Sequence, residues 1–145
     1  MWRKLMGSTR LGVRSISETV RLHAACDNRF QNGSVALAFA NPSKDSVRLD
    51  LGGVGNRTIV HYTFSAPDGN LSSRSVLVNG VPMEDPAQGL SVAGKEVRAD
   101  RLVLEAFSYG FIVDLDAGAR ACQVSTPSAF VGCERSEGAA RMPSN

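Results

Sequence analysis

The sequence predicts an all-β domain, an antiparallel β-sandwich of about eight strands. Short runs of alternating apolar residues recur about every 8 to 15 residues, separated by turn residues. No amphipathic helical pattern lies between them, which argues against βαβ units and a parallel sheet. The chain has 145 residues, 43% of them hydrophobic, enough for one core and one compact domain. Cys26 and Cys122 bracket nearly all of the strand-like sequence.

Taken in order, the elements begin with a helical remnant over 1–7. Trp2, Leu5 and Met6 are spaced i, i+3, i+4, and Gly7 follows where a helix C-cap belongs. The β-sandwich is assigned to 8–122. Val20 and Leu22 lead into Cys26; Val35, Leu37 and Phe39 then alternate with alanines up to the break at Asn41, Pro42 and Ser43. Val47, Leu49 and Leu51 repeat the alternation before a Gly-rich turn at 52–55. Val60, Tyr62 and Phe64 share one face of the next strand, and Pro67, Asp68, Gly69 and Asn70 supply the fixed and positive φ angles of a reversal. A strand through Val76, Leu77 and Val78 ends at the turn pair Asn79 and Gly80, and a Pro/Gly-rich loop runs on to Gly94. Leu102 and Leu104 precede the strongest period-two signal, Phe107, Tyr109, Phe111, Val113 and Leu115, which predicts a core strand. From 123 to 145 the composition turns to Ser, Pro, Gly and Ala, too poor in apolar surface to offset its ordering entropy, and a loose tail is expected.

Charge is nearly balanced, 16 Lys and Arg against 14 Asp and Glu, and the cations are scattered rather than gathered with aromatics, so nothing points to nucleic acid. No apolar run reaches the roughly 18 residues of a transmembrane segment, and the residues after Met1 do not form a signal-peptide core. Catalytic signatures are equally lacking. There is no Gly-x-Ser-x-Gly elbow, His23 and His61 fall within strand-like stretches where packed or surface histidines are expected, and Cys26, Cys122 and Cys133 lack the close spacing of zinc ligands. Neither metal nor cofactor is expected. Asp114 and Asp116, at the end of the Phe107 strand, read as solvated charges, as do Glu84 and Asp85 in the Pro-flanked loop. Three Asn-x-Ser/Thr acceptors, at Asn32, Asn56 and Asn70, all fall at predicted turns and are candidate N-glycosylation sites.

The segments YTFSAPDGNLSSRSVLVNG (62–80) and AFSYGFIVDLDAGARAC (106–122) resemble the C-terminal domain of heparanase-like proteins, the β-glucuronidases of glycoside hydrolase family 79, most closely the plant-type members. The opening WRKLMGSTRLGV, with RLHAACDN behind it, resembles the junction at which that family's last barrel helix enters the domain. The resemblance implies that 1–7 is the end of a barrel helix and that the partner of 8–122 is a (β/α)₈ barrel of the same full-length chain. The implied chemistry is retaining hydrolysis of glucuronic-acid glycans or glucuronides by two carboxylates roughly 5 Å apart. In the family the acid/base glutamate follows an asparagine. No Asn-Glu pair occurs in this sequence, so no catalytic residue carries over.

The resemblance also implies a disulfide between Cys26 and Cys122, closing a loop that would stabilise the fold by about 4 kcal/mol in the chain-entropy model. Taken alone, the residues leave open two free thiols in a reducing compartment. Cys133 reads as an unpaired thiol. A disulfide and three sequons fit a parent that is secreted, extracellular, lysosomal or vacuolar, or held at a membrane periphery. They conflict with the missing signal peptide, a conflict removed if Met1 is not the natural start. Trp2, Leu5 and Met6 would then pack into the barrel and stand exposed in the isolated chain. Two other classes fit the fold. A stand-alone carbohydrate-binding module needs an aromatic platform, yet the single Trp is at position 2; an adhesion module of immunoglobulin type lacks the Trp between cysteines.

Overall fold

The computed structural model describes residues 2–13, 18–30, 32–51, 57–70, 72–83 and 93–123. They form an all-β, sandwich-like domain. A short helix, α1 (Trp2–Leu5), leads directly into β1 (Met6–Leu11), followed by β2 (Arg21–Asp27), β3 (Val35–Asn41), β4 (Val47–Arg48) and β5 (Thr58–Ser65). The remaining strands are β6 (Leu77–Val78), β7 (Val81–Pro82), β8 (Lys95–Arg98), β9 (Val103–Leu104) and β10 (Ser108–Asp114). Eight of these form one sheet in the order β1-β2-β3-β10-β5-β6-β7, with β8 sharing the outer edge of β5; β4 and β9 form a separate ribbon. Every pairing is antiparallel.

Alternation along the strands sorts the core into two layers, one on each face of the large sheet. On one face Ala25, Ala36, Tyr62, Phe64, Phe111 and Val113 cluster with Val78, and Val76 and Met83 pack against them. On the other, Phe39, Ile59 and Ile112 meet Leu49, Leu102 and Leu104, brought there by the β4–β9 ribbon and its flanks. The ribbon is tied on by Asn41, whose buried amide donates to the carbonyls of Asp45 at 2.9 Å and Glu105 at 2.8 Å and accepts from the Ser43 hydroxyl at 2.7 Å.

The first residues depart from the expected helix with a Gly7 C-cap. The helix stops at Leu5, and Met6 and Gly7 belong to β1. Asn28 holds this junction: its N–H donates to the Leu5 carbonyl at 2.9 Å and its side-chain amide to the Arg3 carbonyl at 3.0 Å. Gly7 is required by proximity, because a Cβ there would lie 2.8 Å from the Cys26 carbonyl oxygen. Leu5 and Met6 are buried in the first core layer of this domain instead of standing exposed. Their apolar side chains close the end of the sheet.

The period-two strand also needs correction. Only its middle is core: β10 begins at Ser108 and ends at Asp114, while Phe107 turns the chain at φ 48° and Tyr109 is 50% exposed. Ile112, between the apolar positions, is fully buried on the opposite face. The alternation was a signal for one covered face, whereas β10 is covered on both. The Asn79–Gly80 turn forms as the sequence predicts, with φ of 51° and 81°, joining β6 to β7.

Gly110 sits at the centre of this arrangement. It pairs with Phe39 on one side and Thr63 on the other. The Phe39 ring closes over the position, 2.8 Å from where a Cβ would stand, and the Tyr62 carbonyl oxygen would be only 1.9 Å away. Gly110→Ala is expected to destabilise the domain by at least about 3 kcal/mol. Gly12→Ala, which meets nothing within 4 Å, should change stability by less than about 1 kcal/mol. Urea unfolding of the two variants tests the contrast.

A disulfide joins Cys26 at the end of β2 to Cys122, with 5.2 Å between their Cα atoms and a sequence separation of 96. The chain after β10 is thereby returned to the β2 edge. Replacing both cysteines by serine is expected to cost about 2 to 5 kcal/mol, read as a lower urea midpoint than wild type.

Candidate functional site

A groove of about 380 Å³ runs along the outer part of β5, between β8 and the segment 101–105. Alternation puts His61, Thr63 and Ser65 of β5 on the ribbon side of the sheet, and register places Lys95 of β8 opposite His61. The 3₁₀ turn Ala99–Arg101 then brings Arg101 to the same groove, and the chain leaving β9 brings Glu105. Asn79 secures the wall. Its side-chain oxygen accepts from the Thr63 N–H at 2.8 Å, while its amide donates to the Ala93 carbonyl at 3.2 Å.

His61 is buried, its ring 5.5 Å from that of Phe39, and the Thr63 hydroxyl lies 3.0 Å from Nε2. Burial, and secondarily the Lys95 charge, pulls the imidazole down to about 4, so it is neutral near pH 7. Both ring nitrogens face the same hydroxyl, at 3.0 and 3.5 Å. No carboxylate orients this imidazole among the described residues, so the pair lacks the third member of a nucleophile triad.

Among the described residues two carboxylates are buried, and each is held by an arginine. Asp27 at the end of β2 pairs with Arg29 at 2.9 Å and accepts a second bond from Arg29 Nε at 3.2 Å. Asp114 at the end of β10 pairs with Arg57 at 3.1 Å and caps the next turn by accepting from the Asp116 N–H at 3.1 Å. Its burial contradicts the solvated charge expected from the sequence, and the cause is the covering of β10 on both faces. Register shows that Cys26, Val35 and Asp114 share one face, which puts Asp27 on the other. Two carboxylates on opposite faces of a sheet cannot flank one glycosidic bond.

Of the candidate glycosylation sites, Asn32 and Asn70 are exposed. Asn32 bridges to Gln123 and accepts from the Ser34 N–H at 3.3 Å; Asn70 accepts from the Ser72 N–H at 3.0 Å. Asn56, Glu84, Asp85, Cys133 and the tail from 124 onward lie outside the described residues. His23 lies half-buried in β2, apart from the groove. Among the described residues no group of three His, Cys, Asp or Glu side chains is placed to hold a metal ion. No helix among them is long and apolar enough to cross a membrane. The groove itself was missed in the sequence because its cations come from a charged edge strand and a 3₁₀ turn. Neither has a periodic pattern.

No family model matches the chain. Over 129 residues, 82% of its length, it is 24% identical to a hyaluronoglucuronidase of Hirudo nipponia. The chain spans about a quarter, 26%, of the length of that curated relative. Among solved structures it is similar to the GH51 alpha-L-arabinofuranosidase from Thermotoga petrophila RKU-1, with a TM-score of 0.41 and 19% identity, covering 66% of this chain and 19% of that one. In sequence, then, this β-domain is similar to part of a glycosidase.

The depressed His61 pKa has a definite consequence for stability. The unfolded chain takes up a proton near pH 6.5 while the folded chain does so only near 4. Stability is therefore full above about 6.5 and falls as the pH drops from there towards 4. The thermal midpoint is expected to decline between pH 6.5 and 5, above the range where most carboxylates titrate. In His61→Gln the decline over that interval should be visibly shallower.

Proposed function

We propose that this chain is the C-terminal accessory domain of a heparanase-like glycoside hydrolase, a β-glucuronidase acting on glucuronic-acid-containing glycans or glucuronides. Its catalytic (β/α)₈ barrel would lie on the same full-length polypeptide. One observation carries the reading: similarity runs along 82% of this chain but covers only 26% of a hyaluronoglucuronidase. The two segments that resemble the heparanase-like domain support it further, since they contain the second half of β5 and all of β10, adjacent strands at the centre of the sheet. The described carboxylates support it from the side of chemistry. The buried pair stands on opposite faces and each member is engaged by arginine, so the retaining pair belongs elsewhere on the polypeptide.

The same reading places the full-length protein on a secretory route, to the cell exterior, lysosome or vacuole. The Cys26–Cys122 disulfide supports an oxidising compartment, and the exposed positions of Asn32 and Asn70 suit glycan attachment. The domain's own contribution would be structural, a stapled sheet carried beside the barrel.

An antibody raised against this chain should detect, in native tissue, a polypeptide about four times as long, with glucuronidase activity that co-purifies. The isolated 145-residue chain should leave a chromogenic glucuronide intact. A native product no longer than this chain, or turnover by the isolated chain at about 1 s⁻¹ or faster, would refute the reading.

A further inference from the structure

We infer that the groove between β5, β8 and the 101–105 segment is a binding site for a short acidic saccharide, its acid group held by Lys95 and Arg101. The choice of a sugar to carry the acid rests on the proposed function; the preference for an anion rests on the groove alone.

The cations are the first argument. Lys95 and Arg101 both line the groove, both are exposed, and neither has a carboxylate partner among the described residues. Asp100, next to Arg101 in the chain, forms its salt bridge with Arg98 at 3.1 Å; that bond, with smaller help from the Arg98 and Arg101 charges, holds it below the usual carboxylate range. Two cations against a single carboxylate, Glu105, leave the groove's lining net positive, which favours an incoming carboxylate or sulfate. His61 adds no charge there near neutral pH. The cationic character therefore depends on the lysine and arginine.

The remaining lining suits the rest of a sugar. Thr63 and Ser65 present hydroxyls, and Glu105 on the opposite wall presents a carboxylate that accepts from hydroxyl groups. Val97 and Val103 supply apolar surface against which the C–H face of a ring can lie. At about 380 Å³ the groove is at the low end of the roughly 300 to 1,000 Å³ typical of small-ligand sites, which fits a short segment of saccharide. It is also preformed. The Asn79 hydrogen bonds tie β5 to the chain entering β8 and so hold that side of the groove in place.

The test is a titration of the full chain, isotopically labelled, with three probes followed by amide NMR shifts: a glucuronate-containing tetrasaccharide, a neutral glucose tetrasaccharide and inorganic sulfate. The acidic tetrasaccharide should shift the amides of Thr63, Lys95, Val97 and Arg101, and bind at least about tenfold more tightly than either other probe. Lys95→Ala with Arg101→Ala should lower that affinity about tenfold or more. Both side chains are exposed, so an unchanged thermal midpoint is expected to accompany the loss. Lys95→Arg should stay within about threefold of wild type. Equal affinity for the neutral saccharide would remove the role of charge, equal affinity for sulfate would remove the sugar, and shifts elsewhere or none at all would overturn the site. None of these outcomes bears on the size of the native polypeptide, which tests the accessory-domain reading separately.

Discussion

A strand that is hydrogen-bonded along both edges and covered on both faces has no contact with water in its middle, so every group it carries must be satisfied by protein. That is the position of β10, between β3 and β5. Its amides are spent on two neighbours, and its side chains enter two different core layers, Phe111 and Val113 on one side and Ile112 on the other. Gly110 is the tightest point. The Phe39 ring occupies the space a side chain would need, so the close approach of three strands rests on the absence of one methyl group.

From that centre the two faces are finished differently. The ribbon face receives Leu49, Leu102 and Leu104, and the buried Asn41 amide sets how the ribbon sits by bonding two stretches of backbone, 43–45 and 104–105. Leaving such an amide unpaired in a core would cost about 1 to 3 kcal/mol, so the network also specifies the arrangement. The other face is closed at one end by Leu5 and Met6, drawn in because Asn28 anchors the chain that carries them. The disulfide acts on the same corner, returning the chain after β10 to the end of β2. A domain built this way holds residues 5 and 6 and the turn at 120–122 against the sheet.

Charge follows the same division between buried and open positions. Asp27 and Asp114 are each neutralised locally by an arginine at the strand ends, Arg29 and Arg57. Lys95 and Arg101 sit where the short second layer leaves the sheet uncovered. A ribbon of two-residue strands cannot span a sheet of eight, and the uncovered margin becomes a groove. The polar character of that margin comes from β5, whose ribbon-side alternation passes from Ile59 in the core to His61, Thr63 and Ser65 at the rim.

The sequence by itself determined the all-β class, because period-two alternation and turn residues are local: Asn79 and Gly80 need φ above zero wherever the chain folds, and Val60, Tyr62 and Phe64 must share a face in any strand. It also determined the lack of a catalytic signature. Only the tertiary structure decided which strands are central. The residues of β1 (MGSTRL) and β8 (KEVR) carry no apolar alternation, since an edge strand is held by backbone hydrogen bonds and leaves its side chains to solvent. Likewise Phe107, Tyr109 and Leu115 read as core beside Phe111, yet they lie where cover from neighbouring elements runs out. Asp114 reads as solvated, yet it is buried, and Arg57, far from it in the chain and half-buried, pairs with it there. The groove is the same case. Lys95, Arg101 and Glu105 are ordinary surface charges in the sequence, and they become neighbours of His61 only because β8 pairs with β5 and the second layer ends short of them.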